Sequence, residues 1–138
     1  LKMENANSIE IDSNTKYPVI SMMEEQKKLK KMGGTMRLGS YQCDIKKETL
    51  LHKIYQKETI SERHRHRFEF NNQYLKEFES NGLIFSGKNS KNQLMETIEI
   101  KDHPWFIGVQ YHPEYKSTVE NPHPIFLGLI EAGLKKSL

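Results

Sequence analysis

Residues 105–114 read Trp105-Phe106-Ile107-Gly108-Val109-Gln110-Tyr111-His112-Pro113-Glu114. The first six are a strongly apolar run of strand length, led in by Asp102-His103-Pro104. His112 then stands just past the carboxyl end of a buried strand, where α/β proteins place their chemistry. Glu114, two residues on, can accept from the imidazole, fixing its tautomer and stabilising its charged form. Such a pair is two members of a nucleophile–base–orienter triad. By itself His-x-Glu is a weak signal, and a half-exposed histidine in a proline turn is the plain alternative.

Working outward, the remaining chain alternates strands and helices. Thr35-Met36-Arg37-Leu38 alternates polar and apolar, and Tyr41 and Cys43 continue in the other phase. A bend or bulge at Gly39-Ser40 would account for the flip, which predicts a strand over 35–45. A short helix is expected over 48–55, with Leu50, Leu51 and Ile54 on one face. Phe68-Glu69-Phe70 reads as extended. Residues 72–80 read as a helix with Leu75 and Phe78 inward, ended by Asn81-Gly82. Strands over 83–86 and 95–100 flank a polar turn at 87–92. The last helix is expected over 124–136, with Pro124 in its first turn and Ile125, Leu129 and Ala132 inward. The pattern is that of an α/β protein.

Composition sets the outer bounds. The 138 residues suit a single domain, yet 36% hydrophobic content is thin for a self-sufficient core. One cysteine, Cys43, excludes an intrachain disulfide framework and a CxxC metal or redox pair. No run of 18 apolar residues exists to form a membrane-spanning helix. The opening Leu1-Lys2-Met3-Glu4 carries no signal-peptide pattern and reads like the inside of a longer protein. The net charge of +3 is uneven: −1 over residues 1–21, +6 over 22–67 and −2 over 68–138. The Lys-rich stretch Glu24 to Lys31 lacks an apolar stripe and is expected to be an exposed connection.

Two further groups of residues could carry chemistry. In Glu62-Arg63-His64-Arg65-His66-Arg67, an extended backbone puts the three arginines on one face and the two histidines on the other. The arginine face suits carboxylate or phosphate recognition through bidentate hydrogen bonds. Metal binding by the histidines, a nucleic-acid patch and a merely solvated basic face are the alternatives. Cys43 is a nucleophile by count only. A nucleophile elbow needs a tight strand-to-helix turn flanked by glycine. Tyr41-Gln42-Cys43-Asp44-Ile45 has none, so a buried structural cysteine is expected.

Read together, these stretches resemble the carboxyl-terminal part of the CTP synthase family, within its class I (triad) glutamine amidotransferase domain. The resemblance is carried by Met3-Glu4-Asn5-Ala6-Asn7-Ser8, Gly33-Gly34-Thr35-Met36-Arg37-Leu38-Gly39 and Ser61 through Asn72. His103-Pro104-Trp105-Phe106, Gln110 through Tyr115, and Pro122-His123-Pro124 with Phe126-Leu127-Gly128 complete it. His-Pro-Glu is shared by many class I glutaminases. The Arg-His repeat and the Gly-Gly-Thr-Met-Arg block are more specific to this family.

The resemblance implies a flavodoxin-like three-layer α/β/α fold, of which residues 1–138 are the carboxyl-terminal portion. It implies ATP-dependent amination of UTP with ammonia from glutamine. His112 matches the general base and Glu114 its orienting carboxylate. Glu10 matches a glutamine-binding acid, suited to the substrate ammonium, and Arg67 the arginine that takes its carboxylate. No metal ligand, cofactor, nucleic acid or membrane is implied for this segment. ATP and Mg2+ belong to the synthase domain, which is the expected partner besides L-glutamine. A cytoplasmic homotetramer is implied for the parent enzyme. In the family the nucleophilic cysteine elbow lies upstream of Met-Glu-Asn-Ala-Asn, so the resemblance places nucleophile and oxyanion hole outside these residues and leaves the isolated segment inactive. A non-catalytic remnant or interaction module, and another class I glutaminase such as that of GMP synthesis, are the competing readings.

Overall fold

A computed structural model describes residues 1–22 and 36–136. The expected connection over 24–31 lies outside the described residues. Two sheets frame the described residues. The smaller pairs β1 (Ala6–Ser8) in parallel with β2 (Tyr17–Ser21), and β2 antiparallel with β5 (Glu69–Phe70). The larger contains β3 (Arg37–Ile45), β4 (Thr59–His66), β6 (Leu83–Asn89), β7 (Leu94–Ile100) and β8 (Ile107–Val109). Its spatial order is β4-β3-β6-β7-β8, and every neighbouring pair is antiparallel.

Among the described residues three helices pack around the sheets: α1 (Leu50–Tyr55), α2 (Leu75–Ser80) and α3 (Pro124–Lys136). The start of α1 is held from two directions. Thr49 caps it through a side-chain oxygen that accepts from His52 N–H at 3.2 Å. The Glu99 carboxylate, on β7, accepts from Leu50 and Leu51 N–H at 2.9 and 2.8 Å. An anion there answers both the unpaired amides and the positive end of the helix. The core beneath α1 and α3 gathers Cys43, Ile45, Leu51, Ile60, Tyr111 and Ile125, with Tyr55, Trp105, Ile107 and Val109 against it.

Several expected details come out differently. The side-chain phase of β3 does not flip. Gly39 takes φ +96°, yet pairing with β4 runs unbroken from Arg37↔His66 to Asp44↔Thr59. Arg37, Cys43 and Ile45 therefore all point inward, while Leu38 is exposed. The physical reason is that the interior at this end of the sheet is acidic, and a cation fits it better than leucine. The β6–β7 turn is shorter than expected, because Gly87, Lys88 and Asn89 stay in the strand with irregular register at Gly87. Only Ile107–Val109 of the apolar run is strand. On α3, Leu129 faces out, and Gly128 takes the inward position because the Trp105 ring lies directly over it.

Candidate active site

His112 lies shortly past the end of β8 and is pinned at once to β4. Its backbone N–H donates to Arg63 C=O at 2.8 Å. Pro113 then opens a 3-10 turn, Pro113–Lys116, which bends the chain back so that Glu114 meets its own histidine. His112 Nδ1 and Glu114 Oε1 are 2.6 Å apart. The His112 ring also stacks on Tyr115, with centroids 4.8 Å apart and planes 16° from parallel. Hydrogen bonding to His112 is the main reason the Glu114 carboxyl sits below its ordinary range, and a backbone bond adds to it. With Nδ1 donating to the carboxylate, Nε2 is the ring nitrogen that accepts a proton. The His112 side chain is 35% exposed, so the imidazole is open to solvent.

The other expected site residues sit on neighbouring elements. Arg67 follows the end of β4 and precedes β5. Glu10 is exposed in the loop after β1, where its N–H donates to Ser8 Oγ at 3.2 Å. The structure thus brings His112 and Glu114 into direct contact. No hydrogen bond or ion pair among the described residues joins Glu10 to either of them. Cys43 is fully buried, and burial, followed by the charges of Glu96 and Asp44, pushes its thiol up to about 12. A group that stays a thiol at neutral pH in a closed core is not a nucleophile.

Behind the turn lie two buried polar clusters that the sequence did not disclose as such. In the first, Arg37 donates to Glu96 at 2.7 and 3.3 Å and to Glu69 at 3.2 Å. His66 Nε2 meets the same Glu69 oxygen at 2.9 Å. In the orientation that matches donors to acceptors, the Gln110 amide also donates to Glu69 and accepts from Phe70 N–H at 3.2 Å. Burial works against the Arg37 charge, but Glu96 and then Glu69 outweigh it and hold the guanidinium more firmly protonated. In the second cluster, Glu62 Oε1 faces Tyr55 OH at 3.2 Å and His123 Nε2 at 3.4 Å. Tyr55 OH also meets Tyr111 OH at 3.2 Å and His123 Nε2 at 3.1 Å. A cleft of about 630 Å³ opens beside this cluster, lined in part by Tyr55, Ser61, Glu62, Lys116 and His123. One signal could have found both clusters. On an extended 59–66, His66 of the first cluster and Glu62 of the second share parity with Ile60, which has every reason to be buried.

The histidines of the repeat therefore point inward, as Arg63 and Arg65 point to solvent. Among the described residues no group of three His, Cys, Asp or Glu side chains has metal-binding geometry. No described helix is long and apolar enough to cross a membrane.

Residues 8–132 match the glutamine amidotransferase class-I family. A CTP synthase from Methanothermobacter thermautotrophicus is 57% identical over 135 residues, covering 98% of this chain and 25% of that protein. One from Aquifex aeolicus is 56% identical over the same shares. The chain thus spans about a quarter of the length of the curated relatives it matches. Among solved structures, the glutaminase domain of Trypanosoma brucei CTPS, determined with bound acivicin, superposes with a TM-score of 0.89 at 31% identity. That likeness covers 97% of this chain and 52% of the other. With the family match running almost end to end and the mixed α/β fold shared, the chain belongs to the class I glutamine amidotransferases.

Proposed function

We propose that residues 1–138 are the carboxyl-terminal portion of the glutaminase domain of a CTP synthase, which aminates UTP with ammonia drawn from glutamine. What supports the reading is 57% identity to a CTP synthase across 98% of the chain, together with the 2.6 Å contact between His112 and Glu114.

The chemistry assigned to this segment is proton handling and substrate binding. A cysteine from outside these residues attacks the amide carbon of glutamine while His112 Nε2 takes its thiol proton. As the tetrahedral adduct collapses, the C–N bond breaks and His112, in its protonated form, gives its proton to the departing nitrogen, which leaves as ammonia. A water then attacks the thioester while His112 Nε2 takes its proton; the C–S bond breaks, glutamate is released, and the proton returns to the cysteine sulfur. Glu114 holds the imidazole in the tautomer that both steps need. Glu10 takes the substrate's ammonium and Arg67 its carboxylate, one opposite charge for each charged end of an amino acid. ATP and Mg2+ serve the synthase domain, whereas this segment contributes its own side chains to glutamine hydrolysis. The parent enzyme is a cytoplasmic homotetramer held largely through that domain, and the isolated segment is inactive for want of the nucleophile.

The test is His112→Ala in the full-length enzyme. Glutamine-dependent CTP formation is expected to vanish while ammonia-dependent formation persists. Loss of both would contradict the role of His112, and amination of XMP rather than UTP would point to the GMP-forming relative. Ammonia release above background by the purified 138-residue chain would overturn its assignment as inactive.

A further inference from the structure

The turn that carries His112 and Glu114 is a surface loop, and loops are mobile unless something fixes them. Here β4 fixes it at both ends. At the start, His112 N–H donates to Arg63 C=O at 2.8 Å. At the end, Lys116 Nζ donates to Ser61 C=O and lies 3.5 Å from Glu62 Oε2. Glu62 is itself immobilised, since Tyr55 OH and His123 Nε2 hold its other oxygen. Those partners return to the same turn: Tyr55 OH meets the hydroxyl of Tyr111, the neighbour of His112, and His123 N–H donates to Ser117 Oγ at 3.0 Å. Both flanks of the turn therefore converge on one carboxylate that is only 4% exposed.

A buried acid at this strand position is costly for folding alone, and an apolar residue in phase with Ile60 would suit the core better. Burial opposes the Glu62 charge, yet the His123 hydrogen bond and the charge of Lys116 outweigh it and keep the group below its ordinary range. It is thus a fixed anion with a half-exposed lysine as its clasp.

We propose that the Lys116–Glu62 clasp positions the His112–Glu114 pair for catalysis, Lys116 acting as a positioning residue through the turn it fastens. The assignment rests on the reading of His112 as the glutaminase base. Reactive geometry tolerates little error, and a misplacement of about 1 Å can cost on the order of 100-fold in rate.

The experiment uses the full-length enzyme and follows glutamate release and CTP formation. Lys116 is 39% exposed, so Lys116→Met leaves the core intact. It is expected to lower kcat for glutamine hydrolysis roughly tenfold or more, with KM for glutamine within about twofold and ammonia-dependent CTP formation unchanged. Lys116→Arg, which keeps the charge and the donors, is expected to recover kcat to within about threefold of the parent. The clasp is overturned by an unchanged kcat in Lys116→Met, by an effect confined to KM, by an arginine variant no better than methionine, or by a parallel fall in ammonia-dependent activity. His112→Ala, run alongside, separates the two levels. If it retains glutaminase activity, the underlying reading fails. If it is inactive while Lys116→Met is unimpaired, only the clasp fails.

Discussion

His64 Nε2 and Glu96 Oε2 face each other across 3.6 Å with both side chains fully out of solvent. The spacing is too long for a good hydrogen bond, and the acid is already committed to Arg37. Burial first, then the positive charges of Arg37 and His66, push the imidazole down to about 3. A neutral histidine beside a buried ion pair has a direct consequence for acid stability.

In the unfolded chain His64 takes up a proton near pH 6.5, whereas in the fold it resists until about 3. Between those values the unfolded state binds the extra proton, so stability rises with pH and is lost as pH falls. From about pH 7.5 to 5.5 this one group accounts for a loss on the order of 1 kcal/mol. His64→Gln should reduce the pH dependence of the urea unfolding free energy by that amount. An identical slope in variant and parent would show that His64 is protonated in the fold.

Arg37 contacts both Glu69 and Glu96, and all three are at most 5% exposed. Arg37→Met should destabilise by about 3–5 kcal/mol, because it strands the buried Glu96 carboxylate and leaves Glu69 only His66 and Gln110, rather than merely removing a bond. The companion variant Arg37→Met/Glu96→Gln should recover part of the loss. Denaturation midpoints of the two variants decide the point, and equal midpoints would mean that Glu96 gains nothing from the arginine.

These two clusters mark where sequence reading stops. Helix positions, the strand after Pro104 and the contact between His112 and Glu114 follow from short-range pattern, which needs only neighbours in the chain. The inward turn of Arg37 does not. It depends on Glu69 and Glu96, which are 32 and 59 residues away and arrive only once β3, β5 and β7 are assembled. Local alternation assigns Leu38 to the core because it ranks leucine above arginine, and it has no access to the acids waiting inside. The same limit applies to Glu62, whose partners Tyr55, Lys116 and His123 come from α1, the turn after His112 and the residue before α3. Leu129 departs from its expected inward position for a steric rather than an electrostatic reason, since Trp105 leaves room only for glycine at 128.

That steric relationship is testable by itself. A Cβ built on Gly128 would lie 2.6 Å from Trp105 Cζ3, far inside van der Waals contact, and 3.5 Å from Ile54 Cγ1. Gly128→Ala should gain a few tenths of a kcal/mol to about 1 kcal/mol in helix propensity and lose more, about 1–3 kcal/mol, to overpacking. Trp105 is the single tryptophan, so its fluorescence reports the displacement directly. An unshifted emission maximum with raised stability would show that the Trp105 ring does not crowd position 128.

Cys43 should behave as a silent residue. Its thiol is closed off in the core and held up near 12, so the reactive thiolate is scarce at neutral pH. In native full-length enzyme Cys43 should resist iodoacetamide, reacting only after denaturant is added. Cys43→Ala should keep glutaminase turnover within about twofold while costing about 1 kcal/mol in stability. Peptide mapping of the alkylated protein identifies the site, and native-state labelling at Cys43 that abolishes turnover would sink the assignment of the nucleophile to another cysteine.

Glu114 bears on the mechanism most directly, and its exposure sets the size of the expected effect. Where an orienting carboxylate is buried beside its histidine, replacing it by the amide drops turnover by about 10⁴. Glu114 is 54% exposed, so water screens its charge and part of its influence on the imidazole is replaceable. The short 2.6 Å bond nonetheless fixes which ring nitrogen carries the proton. Glu114→Gln should therefore lower kcat for glutamine hydrolysis by about 10–100-fold, with KM for glutamine little changed and ammonia-dependent CTP formation intact. Glu114→Asp should fall between the two, because the charge is kept but the reach is shortened. A loss of about 10⁴ in the amide variant would mean that the carboxylate is shielded from water during turnover, whereas a change below about twofold would remove Glu114 from the mechanism and leave Tyr115 stacking and the Arg63 bond as the groups that orient His112.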